Sequence, residues 1–315
     1  MPASAARGAS LVVVITALFS ALPIGAQDSD DPKAYPAGPP GALAQVGEQL
    51  ITASEVDKLH ESSGGELPRA VALDALILDA VSRHQLAREG IAVAGSKVDA
   101  TVERALKDGN VNVLAQLKAK GITRENLRRT IELRLLMEQR LAPELTDEAL
   151  ERYFEEHRVR YLRQVRLARF LVLTRDNKTK ALARARAIRE RLAGDEDWTE
   201  VCRAESDDPL APFDAGDLGW ITEDERSFDP VLDSGRKLAL GALSKQPIFS
   251  KNGYHIVKVT AERVPDLALT SYHGEARVRF DFARATEGRI KKSWLNSTRV
   301  VRFAGASAPT ALYPR

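Results

Sequence analysis

The chain has 315 residues, 44% of them hydrophobic and 29% charged, which is typical of a folded protein with one large domain or two ordinary ones. The 46 basic residues nearly balance the 44 acidic ones, so the charge gives no support for nucleic-acid binding. A single cysteine excludes an internal disulfide, and the five scattered histidines include no pair with metal-ligand spacing. We therefore expect neither a metal nor a cofactor.

Residues 1–26 have the order of a secretory signal peptide. Arg7 precedes an apolar run from Ser10 to Leu22, and small or helix-breaking residues follow as far as Ala26. The alternative is an uncleaved membrane anchor, although the run is shorter than the ~20 residues that a span needs. We expect an exported protein, periplasmic in a Gram-negative source, in which a flexible leader at residues 27–40 follows the signal.

Residues 41–162 carry mainly helical patterns. A strand, a turn and a second strand are predicted over Ala44–Ile51, and a capping box at Thr52 and Glu55 begins a helix. No cluster in this region suggests catalysis, so we predict a helical domain. Further helices are predicted at Pro68–Glu89, from Ser96, at Asn112–Lys120, from Thr123 and from Thr146.

From residue 163 to 263 the pattern changes to mixed strand and helix. Residues 165–173 alternate as a strand does, and helices are predicted at Lys178–Ala193 and Trp198–Ala204. Cys202 is expected to be a packed core thiol, because no histidine stands near it in the sequence. Short helical turns are predicted at Phe228–Leu240, followed by strands at Pro247–Ser250 and Tyr254–Thr260.

Two glycine motifs are the most specific features of this region. Residues 215–220, Ala-Gly-Asp-Leu-Gly-Trp, predict a tight turn that leads into a strand, and residues 253–256, Gly-Tyr-His-Ile, predict another. A Ser-Asp-Asp segment at residues 206–208 precedes the first motif, and Leu-Ala-Leu-Gly-Ala-Leu-Ser at residues 238–244 precedes the second. In this order, the motifs resemble those of the parvulin-type (PpiC-like) peptidyl-prolyl isomerases.

The resemblance implies an α+β fold in which residues 163–263 form a parvulin-like domain with a small antiparallel sheet. The flanking regions resemble those of SurA-like exported chaperones, where an N-terminal helical domain, here 41–162, packs with a C-terminal segment, here 264–315. That segment would contain a helix over Tyr272–Trp294, where the periodicity also fits a strand in part. Residues 299–303 predict a strand that could pair with the one near Val46.

The resemblance also implies a site that holds a proline ring in an apolar pocket beside two histidines with a Cys or Asp between them. His255 matches the last histidine, Asp208 the Cys-or-Asp position and Leu218 the apolar wall. At three matching positions, the chain departs from the family: Arg169 replaces the first histidine, Val231 the pocket phenylalanine, and Ser227 falls near the other pocket residue.

Arg169 lies on an apolar strand face, where a charge is costly unless it is paired. We predict an ion pair with Asp208, with Asp207 or Asp217 as alternative partners; otherwise the side chain extends to solvent. His255 is either part of a functional site or a hydrogen-bonded core histidine. The other arginines of the basic stretch at residues 158–169 are expected to be mostly solvated.

Two functions remain open at this point. The chain is either a peptidyl-prolyl isomerase acting on exported proteins, or a folding factor that binds unfolded polypeptides and has little catalysis. The departures at Arg169 and Val231 favour the second. Unfolded or proline-containing exported polypeptides are the expected partners, without nucleic acid and without stable membrane insertion after signal cleavage. A hydrolase is not supported, because the sequence has no nucleophile with a neighbouring base.

Overall fold

A computed structural model describes residues 35–108, 123–174, 177–194, 196–222 and 229–308. The predicted signal segment, the helix predicted at Asn112–Lys120 and the candidate pocket residue Ser227 lie outside them. The chain divides into two compact units, of which one combines the residues up to Thr146 with those from Phe280 onward, and the other is Asp147–Arg279. Helices combined with small antiparallel sheets confirm the α+β fold class. The domain boundaries drawn from the sequence stay predictions.

The helices and strands follow the predicted order closely. The first region contains β1 (Ala42–Val46), β2 (Gln49–Thr52), α1 (Ala53–Ser62), α2 (Arg69–Arg88), α3 (Gly95–Asp108) and α4 (Arg124–Leu141). Next come α5 (Asp147–Glu156), α6 (Arg158–Leu162), β3 (Gln164–Leu173), α7 (Lys178–Ala193), α8 (Trp198–Glu205) and α9 (Ala211–Asp214). The last are β4 (Asp217–Thr222), α10 (Pro230–Gly235), β5 (Ile248–Phe249), β6 (Gly253–Arg263), α11 (Glu275–Ser297) and β7 (Val300–Arg302).

The first unit is built on a three-stranded sheet of order β2-β1-β7. The predicted capping box begins α1, because Thr52 N–H donates to the Glu55 carboxylate at 2.8 Å and Glu55 N–H donates to Thr52 Oγ1 at 3.3 Å. β7 pairs antiparallel with β1, so the predicted partnership between residues 299–303 and the strand near Val46 is confirmed. The helix predicted over Tyr272–Trp294 is present as Glu275–Ser297, and its residues Ile290 and Trp294 are buried in the core of this unit.

Residues 35–40 are the described part of the leader predicted at residues 27–40, and residues 36–40 are exposed. Tyr35 is buried in the core of the first unit, and Ala304 N–H donates to Pro36 O at 2.8 Å. The aromatic ring of Tyr35 contributes a large apolar surface to this core.

A buried ion pair joins the N-terminal and C-terminal parts of the first unit. Asp74 of α2 accepts a hydrogen bond from Arg302 Nη2 of β7, and both side chains are fully buried. Arg302 Nη1 also donates to Ser307 O at 3.0 Å. Burying two charges is costly, and hydrogen bonds of this kind offset part of the desolvation cost.

The second unit contains an antiparallel sheet of order β4-β3-β6-β5, and its two faces pack differently. On one face, Ala168, Phe170 and Ile256 pack against α7 and α8. On the other, Leu167, Val257 and Val259 pack with Val231 of α10. Because side chains alternate along a strand, Arg169 and His255 lie on this second face. Among the described residues, no helix is both long and apolar enough to cross a lipid bilayer.

The expectation that the other arginines of residues 158–169 are mostly solvated holds for Arg160 and Arg166, which are exposed, whereas Arg158 and Arg163 are partly buried and paired. Arg158 forms ion pairs with Glu155 and Asp266. Arg163 donates to the carbonyl oxygens of Arg236 and Leu238 at 2.8 Å, and thereby fixes the chain that follows α10. Periodicity could not reveal these contacts, because the partners lie up to about a hundred residues away in the sequence.

Candidate functional site

The glycine motif at residues 215–220 holds the backbone of Arg169 in place. Arg169 N–H donates to Gly216 O at 2.8 Å. Gly216 has φ +76°, and a Cβ atom at this position would lie 2.0 Å from Arg169 O. Only glycine permits both this conformation and this close approach. The neighbouring Ala215 is also left-handed, and its carbonyl accepts from Trp198 Nε1 at 3.0 Å.

Asp208 reaches Arg169 because the segment after α8 completes the edge of β3. β4 pairs with β3 only as far as Ala168, so backbone groups of the later residues of β3 need other partners. Leu171 N–H donates to Ser206 Oγ at 3.1 Å, and Asp207 N–H donates to Leu171 O at 2.8 Å. These bonds hold Ser206 and Asp207 along β3, so that the next residue, Asp208, reaches the side chain of Arg169.

The predicted ion pair of Arg169 is present, and its partner is Asp208. The other two candidate partners bind elsewhere: Asp207 pairs with Arg184 at 2.9 Å, and Asp217 pairs with Arg166. The Asp208 carboxylate also accepts from Leu210 N–H at 3.1 Å. Burial alone would raise the pKa of Asp208, but the hydrogen bonds from Arg169 and from Leu210 N–H outweigh it and lower the pKa below its ordinary value.

His255 is buried and neutral in this environment. Only 1% of its surface is exposed, and burial, together with the positive charge of Arg169, lowers its pKa to about 4. Its Nε2 atom lies 2.7 Å from Ser250 Oγ. Within the described part of the chain, the buried atoms His255 Nδ1 and Arg169 Nε have no hydrogen-bond partner. Buried polar atoms without a hydrogen-bond partner are rare in proteins.

The two described apolar site residues share one cluster with the strand that carries His255. Val231 is 2% exposed and packs with Leu167 and Val257, while Leu218 is partly buried against the same cluster. Val257 lies two residues after His255, so it faces the same side of the sheet. The fold thus brings Leu218, Val231, Arg169, Asp208 and His255 to one face. Val231 belongs to the packed core there, and its role as a pocket wall stays a prediction.

Sequence reasoning missed Ser250. It directly follows the short strand β5, and the turn to β6 places its hydroxyl against the imidazole of His255. The sequence contained a signal for this contact. Two strands joined through Asn252 and Gly253 form a hairpin, and a hairpin brings together the residues on the two sides of its turn. Cys202, in contrast, is the core thiol that was predicted: it is buried, and this burial raises its pKa to about 11.

Comparison with known proteins identifies the class of this unit. Residues 167–261 match the family model described as Rotamase: PPIC-type PPIASE domain. The chain therefore contains a peptidyl-prolyl isomerase domain of the PpiC, or parvulin, type. The match spans β3 to β6 and includes Arg169, Asp208, Leu218, Val231 and His255.

Two relatives match longer stretches of the chain, and their names refer to protein folding. The foldase protein PrsA of Clostridium kluyveri is 29% identical over 209 residues, which cover 62% of this chain and 57% of that protein. The chaperone SurA of Chromohalobacter salexigens is 31% identical over 129 residues, 40% of this chain and 27% of that protein. This chain thus matches only a little over half the length of the foldase.

Solved structures of similar proteins align at low similarity. A PrsA structure from Bacillus anthracis shares 21% identity with a TM-score of 0.31, and covers 71% of this chain and 94% of that one. A SurA-like chaperone of Campylobacter jejuni shares 16% identity with a TM-score of 0.35, and covers 84% and 99%. Scores of this size do not establish a common arrangement of the whole chain.

Proposed function

We propose that this chain is an exported folding factor that binds unfolded polypeptides and whose isomerase domain has weak activity. One observation carries the proposal of weak activity. Arg169, which stands where the resemblance implies the first histidine of the network, is paired with Asp208. The Asp208 carboxylate, which would take part in the network, is therefore already paired with the guanidinium of Arg169.

Catalysis of prolyl isomerisation requires groups that favour the twisted amide over the planar one, against a barrier of ~18–20 kcal/mol. No bond is broken, so the site needs no nucleophile and no metal. The guanidinium of Arg169 is fixed by its ion pair, and the imidazole of His255 is held neutral by burial. A network of this kind cannot redistribute a proton near neutral pH, which supports low activity.

Two unpartnered nitrogens support some residual activity. Arg169 Nε carries a hydrogen, and His255 Nδ1 carries one in the tautomer in which Ser250 donates to Nε2. The carbonyl oxygen of an X-Pro bond is an acceptor that suits either group. A hydrogen bond that strengthens as the amide twists would lower the barrier.

The alternative is a fully active isomerase. The presence of Asp208, Leu218 and His255 on one sheet face favours it, because these residues match the family pattern and only part of the network is replaced. The two candidates differ in the expected rate, since a fully active isomerase accelerates the equilibration of prolyl peptides strongly and the proposed folding factor does so only weakly.

The partners and location proposed here rest on sequence and relatives. Unfolded or proline-containing exported polypeptides are the proposed clients, in keeping with the names foldase and chaperone of the two relatives. Export rests on the signal-like pattern of residues 1–26. Neither nucleic acid nor stable membrane insertion after cleavage is part of the proposal.

Client binding can be tested by light scattering. The purified chain is mixed with an unfolded client that aggregates on dilution, and scattering is followed with and without the chain. We expect suppression of aggregation near equimolar ratio, and equal suppression by the Arg169→His variant, because client binding does not depend on the ion pair. Scattering identical to that with a serum-albumin control would contradict the proposed binding function.

A further inference from the structure

One end of the sheet in the second unit is not buried under helices. On the face that packs against α7 and α8, burial of β3 begins at Ala168, whereas Gln164 is only partly buried and Arg166 is exposed. The strand register places Arg263 of β6 opposite Gln164, and Trp220 of β4 opposite Arg166. Opposite residues of antiparallel strands point to the same side of a sheet, so the four side chains share this face.

Arg263 is held in one place on this face. Its guanidinium carbon lies 4.1 Å from the centroid of the Trp220 ring, which attracts a cation. Its Nε–H donates to Gln164 Oε1 at 2.7 Å. Because the ring contact and the hydrogen bond already restrict the side chain, less conformational entropy is lost when it binds a ligand. We call Gln164, Trp220 and Arg263 the Arg263 surface.

The Arg263 surface offers hydrogen-bond donors without a partner in the described part of the chain. Only Nε of Arg263 makes a hydrogen bond there, so the N–H groups of Nη1 and Nη2 remain available, and a guanidinium has no acceptor atom. Gln164 accepts through Oε1, which leaves its Nε2 as a further donor. Two acids of the neighbouring strand positions, Glu262 and Asp217, pair with other arginines. The Arg263 surface therefore suits an anion.

A carboxylate on a side chain is the anion that this geometry favours. The planar fork of a guanidinium matches the two oxygens of a carboxylate. The Trp220 ring lies beside the fork, and 37% of this residue is exposed. An Asp or Glu side chain can pair with the fork and lay its CH2 groups on the ring, whereas an inorganic anion gains the charge interaction alone.

We propose that the Arg263 surface binds an acidic side chain of an unfolded polypeptide client. This site is separate from the candidate isomerase site, because Arg169 and His255 lie on the other face of the sheet. A client held through its acidic residues leaves the proline site free for another segment of the same polypeptide. That the partner is a client rests on the proposed function, whereas the affinity for a carboxylate rests on the Arg263 surface alone.

The test is fluorescence anisotropy on the full chain with two labelled peptides that contain no proline. The peptides are identical except that the acidic positions hold Glu in one and Gln in the other. Wild-type protein is compared with Arg263→Gln, which removes the fork, and with Arg263→Lys, which keeps only the charge. The matched control is Arg203→Gln, because Arg203 is also exposed and lies on α8 of the same unit. Inorganic phosphate serves as a competitor.

We expect the wild type and the control to bind the Glu peptide about tenfold more tightly than the Gln peptide. Arg263→Gln should bind both peptides within about twofold, and Arg263→Lys should keep a preference of about threefold, because an ammonium group forms no fork. Equal Kd values for the two peptides on the wild type would overturn the proposal. An equal loss in Arg203→Gln and Arg263→Gln would overturn it too, since only the net charge would then matter.

Further outcomes separate this site from the proposed function. Displacement of the Glu peptide by equimolar phosphate would show a site for any anion and would overturn the preference for an acidic side chain. Equal binding of both peptides together with full suppression of client aggregation would overturn the Arg263 surface and leave the proposed function intact. The expected peptide preference without suppression of aggregation would support the carboxylate site and contradict the proposed function.

Discussion

At the scale of the residue, the candidate site depends on the charge states of three side chains. Arg169 stays cationic, the hydrogen bonds that Asp208 accepts from Arg169 and Leu210 N–H keep it anionic, and His255 is neutral because it is buried beside the cation. Each state depends on a neighbour: removing one group changes the electrostatic environment of the other two. The site is thus a fixed arrangement of charges near neutral pH.

The neutral state of His255 predicts a particular pH dependence of stability. The pKa of His255 is about 4 when folded, below the ordinary 6.5, so its contribution to stability is complete above pH 6.5 and is lost as the pH falls towards 4. Between pH 7 and pH 4.5, this one group should lower the free energy of unfolding by roughly 2 kcal/mol. Urea unfolding of the wild type and of His255→Asn at both values measures this contribution.

The His255→Asn variant should lose less stability than the wild type over the same pH interval, because the histidine that takes up a proton on unfolding is gone. His273→Asn, at an exposed histidine, is the control and should behave as the wild type does. If the wild type and His255→Asn lose equal stability, His255 does not have the lowered pKa.

Gly216 is predicted to be essential for the local structure. Its φ is +76°, and an added Cβ atom would overlap the carbonyl oxygen of Arg169. Gly219 has φ +77° but no atom within 4 Å of an added Cβ, so it is a matched control for backbone strain alone. Gly219→Ala should cost about 1–2 kcal/mol, and Gly216→Ala clearly more. Chemical denaturation of both variants tests this, and equal losses would show that the close approach to Arg169 does not matter.

At the scale of the element, local patterns predicted most of the helices and strands, because caps, stop signals and periodicity act over a few residues. The helix Lys178–Ala193 is an example, since Asn177 caps it and Gly194 ends it. What local patterns could not predict is which distant segment completes an edge. The Ser-Asp-Asp segment along β3 depends on a tertiary contact, so the sequence named Asp208 only through family resemblance, whereas Ser250 lies beside His255 through a local hairpin and was missed although the hairpin was predicted.

The small sheet of the first unit depends on a similar distant contact, the buried pair of Asp74 and Arg302. Replacing Asp74 by Asn leaves a buried guanidinium without its counter-charge and should lower the free energy of unfolding by about 3–5 kcal/mol. Glu103→Gln removes one partner of an exposed pair with Arg124 and should cost at most about 1 kcal/mol. Urea denaturation provides both values.

A double variant separates the charge from the packing. Asp74→Asn combined with Arg302→Met removes the uncompensated cation, so it should recover part of the stability lost by Asp74→Asn alone. If the double variant is less stable than Asp74→Asn alone, the pair contributes through packing rather than through charge.

At the scale of the whole molecule, the second unit contains a PpiC-type domain, and the first unit has a sheet whose edge strand β7 comes from the C-terminal part of the chain. The residues that identify the domain also fix its backbone: Gly216 holds Arg169, and the hairpin before β6 presents His255. These residues therefore have a structural role that does not depend on the activity of the domain. This is why the sequence identified the domain more firmly than the level of its activity.

The most direct test of the account is the rate of prolyl isomerisation by the full chain, measured by exchange NMR on a short X-Pro peptide. We predict weak acceleration by the wild type and an increase in kcat/KM of at least about tenfold for Arg169→His, because the variant removes the cation paired with Asp208 and places a histidine where the resemblance implies the first one. Arg166→His, at the neighbouring exposed ion pair, is the control and should leave the rate unchanged. Fast catalysis by the wild type that is lost in Arg169→His would contradict the central claim.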